Sequence, residues 1–247
     1  DVGLYSAGFT LVISYAGMVF MAMETDYFPR LSAVCNPHQQ QPSQVSAMRL
    51  TVAQNHTVNT QVEVTILLIA PLTVLCIVAL PFLLPLLYSS EFLPALGMMQ
   101  VMMLSLYCRA LALPIEYLSL AHGDSRSFLF IETIYNVMLV TFTVLAHQHF
   151  SLFGAGVALT LSFFADLLLA IVFMRRKYHY RLSPTAIKYL SIQLPIGLLT
   201  YATTLVLHGV VYWLSGIVLI ALSTLISLRL LKQTAGFSFA SLLKRKG

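Results

Sequence analysis

The sequence predicts an all-α integral membrane protein with seven transmembrane helices. Three observations carry that reading. Of its 247 residues, 58% are hydrophobic and only 9% are charged, whereas a soluble domain carries about 25% charged residues. The apolar runs are about 20 residues long, enough to cross the hydrocarbon core. They do not alternate with period two, which argues against the short strands of a transmembrane barrel. The net charge of +5 is no nucleic-acid signal, because what matters is where those charges lie.

The first span covers 3–23. Pro29 is expected to stop this helix at the membrane interface, with Arg30 snorkelling to the surface. Residues 24–61 follow, with a polar, turn-rich patch, CNPHQQQPSQ, and then a helical stretch over 45–63. This region is expected to be a membrane-surface linker. The second span covers 65–87 and the third 93–121, the latter carrying Arg109, Pro114 and Glu116. The fourth and fifth, 128–146 and 152–174, flank a short uncharged break. The sixth and seventh, 189–208 and 210–230, are joined so tightly that an antiparallel hairpin is expected.

Lysine and arginine orient these spans. All fourteen except Arg109 fall in the 24–61 loop, around Arg126, between spans five and six, or at and beyond the C-terminal end of span seven, from Arg229 on. The intervening loops have none, so the positive-inside rule makes the basic side cytoplasmic. The C-terminus is then inside and the N-terminus outside. An outside N-terminus with no initiator Met and an odd number of spans points to the C-terminal part of a longer chain. Asn55-His56-Thr57 matches a glycosylation sequon, but on a cytoplasmic loop the match is chance. Cys35, Cys76 and Cys108 are odd in number and lack CxxC spacing. They read as small hydrophobes, with no disulfide framework and no metal site.

The stretch DVGLYSAGFTLVISYAGMVFMAMETDYFPRLSAV resembles a helix of the multidrug/oligosaccharidyl-lipid/polysaccharide exporter superfamily. There a GxYSA start and a PRLS end bracket the eighth of up to fourteen helices. Gly3, Tyr5, Ser6 and Ala7 match the start, and Pro29, Arg30, Leu31 and Ser32 the end. VNTQVEVTILLIAPL and PLLYSSEF look like the next helix and loop of its polysaccharide-flippase branch. The resemblance covers roughly residues 1–175 well and the last two spans by topology alone. It implies two six-helix lobes related by a pseudo-twofold, plus two additional helices. Residues 1–181 would hold most of the C-terminal lobe, lacking its first helix, and 182–247 the two additional helices with a basic tail. The QQQP insert at 39–42 and the spacing of Pro71, Pro81 and Pro85 depart from the family pattern.

Charges inside the spans mark the candidate site. A mid-bilayer Arg costs about 2.5–3.5 kcal/mol on insertion scales, so it needs a cavity or a partner. At ~1.5 Å per residue, Arg109 and Asp166 both lie about 21 Å from the outer surface. Glu116 is two turns beyond Arg109 on the same face, with Pro114 between them. Glu132 enters from the inner side to roughly the depth of Glu116. Arg109 reads either as a structural partner of Asp166 or as a cationic floor for an anionic head group, since its planar fork suits phosphate. Arg109, Asp166 and Tyr107 form the candidate substrate-binding set. Glu116 and Glu132 read either as groups solvated at the interface or as sites of proton or cation coupling. No cofactor is implied.

The leading expectation is a flippase in a bacterial inner membrane. It would move an undecaprenyl-pyrophosphate-linked oligosaccharide by alternating access, for cell-surface polysaccharide synthesis. Its partners would be that lipid-linked oligosaccharide, the surrounding lipids and the missing N-terminal lobe. A cation-coupled multidrug exporter of the same fold is the alternative, and would favour an acidic cavity. A membrane polymerase or ligase would need sizeable outer loops for catalytic residues, and here those loops are only a few residues each. The tail GFSFASLLKRKG is expected to lie on the inner surface against anionic lipids. Gly197, Gly209 and Gly216 are expected to let spans six and seven pack closely or form a groove for the polyprenyl tail.

Overall fold

The computed structural model describes residues 2–35 and 44–235. The QQQP insert, the rest of the turn-rich patch from 36 to 43, and the tail from 236 lie outside the described residues. Every regular element among the described residues is helical. In chain order they are α1 (Val2–Thr10), a π-helical turn (Leu11–Tyr15), α2 (Ala16–Cys35) and α3 (Gln44–Leu87). A short 3-10 helix (Ser90–Ala95), α4 (Leu96–Ala121), α5 (Ser125–Tyr178), α6 (Pro184–Val206) and α7 (Gly209–Ala235) complete the order. Among the described residues, six helices are long and apolar enough to cross a membrane, with α1 and α2 counting as one.

α4 is the hub. Most of its side chains are buried, and α1, α2, α3, α5 and α6 all pack on it. α5 is 54 residues long, which drawn straight would be roughly 80 Å, far more than one membrane thickness. It is not straight. Ser151 takes φ 51°, ψ −139°, and the chain doubles back there. Tyr135 therefore stacks on Phe163 at 5.2 Å, and Phe130 meets Phe173 at 5.8 Å. Gly154 is required at this reversal, because a Cβ there would lie 2.2 Å from the Ala146 carbonyl oxygen.

Two expectations near the N-terminal helix are corrected. Pro29 does not stop it: α2 continues to Cys35. Tyr27, Leu31 and Cys35 recur at helical spacing and are all buried, so packing outweighs the hydrogen bond the proline removes. Nor do residues 24–35 form a loop, since they belong to α2, whereas the stretch expected to be helical over 45–63 is helical. From Gln44 it belongs to α3, whose 44 residues reach roughly 66 Å. Val58 and Val62 on that extension are fully buried.

Side-chain hydrogen bonds fix the ends. Asn59 Nδ2 donates to the Arg181 carbonyl at 2.9 Å, while its Oδ1 accepts from the Tyr180 hydroxyl and the Ser183 amide. Asn55 accepts from the Arg181 amide at 3.1 Å, so the sequon asparagine serves structure. At the same end Asp124 caps α5 by accepting from the Ser127 amide, and it accepts from the Tyr178 hydroxyl at 2.6 Å. Lys177 Nζ pairs with the same carboxylate. These contacts hold the Asp124 carboxyl well below the usual carboxylate range, Lys177 contributing most. α6 and α7 run antiparallel as a hairpin. Buried Gln193 binds the Ser223 carbonyl and the Ser227 hydroxyl, and Tyr189 meets Thr234.

In α3, Pro81 cannot donate to the Ile77 carbonyl four residues back. Gln100 of α4 takes up that carbonyl at 3.4 Å. Proline-freed backbone in a lipid-facing helix must find such a partner.

Candidate functional site

The site starts from one α4 row. Leu106, Arg109, Leu113, Tyr117 and Leu120 recur every three or four residues, so they share a face. Facing them on α2 are Gly17, Met21, Glu24 and Phe28, with the same spacing. Between these two rows lie two voids. The inner one, of about 240 Å³, is walled by Arg109, Glu24, Glu132, Phe20, Tyr135 and Phe163 among others. The outer one, an open surface hollow of about 490 Å³, is lined by Glu24, Thr25, Phe28, Tyr117 and Leu120. Both share Met21 and Glu24. Val12 and Ile13 of the π-helical turn also line the inner void, a common setting for such turns.

Arg109 stands where the inner void meets the packed interior. Its Nη1 lies 3.6 Å from Glu116 Oε2 and 3.6 Å from Asp166 Oδ2. Its guanidinium carbon sits 5.4 Å from the centre of the Phe163 ring, a cation–π distance. The two carboxylates are 1% exposed, whereas the Arg109 side chain keeps 23% of its surface. At 3.6 Å the contacts are ion pairs longer than hydrogen bonds. Nη1, both Glu116 oxygens and Asp166 Oδ2 have no hydrogen-bond partner. The guanidinium is thus flanked by charge but not locked by it.

Sequence reasoning by depth and helical face had placed Arg109 with Asp166 and Glu116, and all three come together. Glu132 lies across the inner void from α4, with Asn136 donating to its Oε1 at 3.4 Å. Tyr107 does not join them. It is 1% exposed and turned to α6, where a Cβ on Gly197 would lie 2.5 Å from its hydroxyl. Two residues from Arg109 is about 200° around a helix, so the two necessarily face opposite ways. Glu24 was missed. The expectation that the helix gave way to a loop at 24 removed it from consideration as a membrane-interior group. The helical spacing of Gly17, Met21, Glu24 and Phe28 was the signal available.

The local charge balance is acidic. One guanidinium stands against the Glu116 and Asp166 carboxylates, and Glu24 and Glu132 line the same void. An anion entering the inner void meets the guanidinium fork, but also carboxylates that must be neutralised or moved. Among the described residues no cluster of His, Cys, Asp and Glu is arranged to hold a metal ion. Comparison with protein-family models, curated proteins and solved structures finds no match.

Proposed function

We propose that the protein is a membrane transporter whose Arg109 binds the pyrophosphate of a lipid-linked oligosaccharide and carries it across a bacterial inner membrane. The supporting observation is a partly exposed guanidinium, inside a membrane-spanning helix, opening on a void. Intramembrane charges of this kind line substrate or ion pathways. In this reading α5 crosses the membrane twice, on either side of Ser151, which makes seven crossings with the N-terminus outside. The chain is most of the second lobe of a two-lobed exporter, lacking that lobe's first helix, α6 and α7 are its additional helices, and alternating access brings the void to each side in turn. The polyprenyl tail stays in lipid while the sugar and pyrophosphate occupy the groove between α2 and α4.

The acidic surroundings give the coupling. For an anion to dwell beside Glu116, Asp166 and Glu132, protons or cations must bind with it. Glu116 and Glu132 are the groups assigned to that task. No covalent chemistry is invoked. Reconstituted with its upstream lobe in proteoliposomes, the protein should move a fluorescent polyprenyl-pyrophosphate sugar between leaflets, and Arg109→Lys should slow it. Equal rates for wild type and Arg109→Ala would refute the substrate role.

A second reading, export of organic cations, is favoured by one specific observation: Glu24 and Glu132 on the wall of an aromatic-lined void. Uptake of tetraphenylphosphonium that depends on these carboxylates, without movement of the pyrophosphate lipid, would decide for it.

A further inference from the structure

We infer that Glu24 and Tyr117 form a sugar-binding subsite adjoining the anion-binding group, so that the groove recognises a glycosyl pyrophosphate as one unit. This rests on the anion-binding reading of Arg109 given above. Glu24 is the one charged residue common to both voids, and it also lines a small gap among α2, α3 and α4 with Tyr117. It is half-buried, on the α2 face that looks at α4, with the Tyr117 side chain beside it. Along α4 the order is Arg109, Leu113, Tyr117 and Leu120, and along α2 it is Gly17, Met21, Glu24 and Phe28. The groove therefore presents a guanidinium, then a carboxylate, then an aromatic wall. In that wall the Tyr117 ring lies 6.1 Å from Phe28, edge to face, and 6.4 Å from Phe128, stacked.

That succession selects a ligand class. A planar guanidinium takes two oxygens of a phosphate. A carboxylate has acceptors only, so its partner must bring donors, such as neighbouring hydroxyls or an amide N–H. Aromatic faces cover the C–H face of a pyranose ring, because the ring's negative face meets weakly positive hydrogens. A simple organic cation fits the carboxylate and the rings but is repelled by Arg109. A bare phosphate fits Arg109 but is repelled by Glu24. A sugar joined to pyrophosphate satisfies the whole succession, with its sugar lying towards Phe28 and its phosphates towards Arg109.

The test measures binding to the chain in nanodiscs by calorimetry. One probe is farnesyl pyrophosphate. The others carry one sugar on that pyrophosphate, N-acetylglucosamine in one series and galactose in a second. At least one sugar should tighten binding about tenfold, the worth of one hydrogen bond to a charged group. Glu24→Gln should erase that gain and leave farnesyl pyrophosphate no weaker. Tyr117→Leu should lose part of it. Arg109→Gln should weaken all probes alike. No gain from either sugar, or a gain that survives Glu24→Gln, overturns the subsite and leaves the anion reading standing. Failure of farnesyl pyrophosphate to bind, or binding indifferent to Arg109→Gln, overturns both. Tetraphenylphosphonium binding that requires Glu24, with no sugar gain, reassigns the carboxylate to organic cations. Glu24→Asp, which keeps the charge, should recover part of the gain, separating recognition from misfolding.

Discussion

Asp166 on the returning arm of α5 places Oδ2 3.6 Å from Arg109 Nη1 on α4, and Glu116 reaches the same nitrogen at the same distance. The arrangement is held together by charge, so removing its cation should be far worse than neutralising one of its anions. Arg109→Met should cost about 3–5 kcal/mol, because it strands two buried carboxylates. Asp166→Asn keeps Glu116 as partner and should cost clearly less. Unfolding midpoints in detergent check this, and similar losses for the two variants would contradict it.

The reversal of α5 at Ser151 gives a geometric prediction. A cysteine pair at positions 130 and 173, whose phenylalanine rings meet at 5.8 Å across the two arms, should be bridged by a short bifunctional thiol reagent in a cysteine-free background. Labelling should find Gln148→Cys accessible from outside and Thr234→Cys only from the cytoplasm. A cysteine at position 148 labelled from inside would reverse the proposed topology. Ser43, expected to label from the cytoplasm, lies outside the described residues.

Tyr107 packs against Gly197 with its hydroxyl unpaired. Tyr107→Phe should therefore be neutral or slightly stabilising, since it removes a buried polar atom that gains nothing. Transport should be unchanged. Gly197→Leu should loosen α6 from α4 and lower the unfolding midpoint. A transport loss on Tyr107→Phe would restore Tyr107 to the substrate site.

The Asp124 clasp has a defined pH dependence. Its carboxyl is held below the ordinary value by Lys177, Ser127 and Tyr178. A depressed folded value means the stabilisation is present above the unfolded carboxyl's pKa, about 3.9, and lost as pH falls through the lower folded one. The midpoint difference between wild type and Asp124→Asn should thus persist from neutral pH down to the ordinary carboxylate range. In a Lys177→Met background it should shrink. A difference that vanished already at mildly acidic pH would show the clasp does not set the ionisation.

The sequence displays the spans, the antiparallel close of α6 on α7, and the Arg109–Asp166–Glu116 cluster for one reason. Length, charge and rise per residue act on whole helices, and depth follows from counting. What it hides depends on competition between local and tertiary terms. Pro29 signals a stop, but buried Leu31 and Cys35 carry α2 onward, and the polar residues from 24 read as a loop although α2 is helical there and sets Glu24 on the groove wall. Tyr107 shows the opposite failure. Its nearness to Arg109 in sequence suggests a shared site, and the helical turn between them forbids it.

The central claim, that Arg109 binds a pyrophosphate, is tested most directly by distance. Solid-state NMR on the chain in lipid, with arginine guanidinium nitrogens labelled with ¹⁵N, would measure ¹⁵N–³¹P dephasing against bound farnesyl pyrophosphate. A guanidinium–phosphate contact should appear in the wild type and disappear in Arg109→Lys, whose ammonium is not labelled. Dephasing unchanged in Arg109→Lys, or absent from a wild type that binds the probe, would contradict the account.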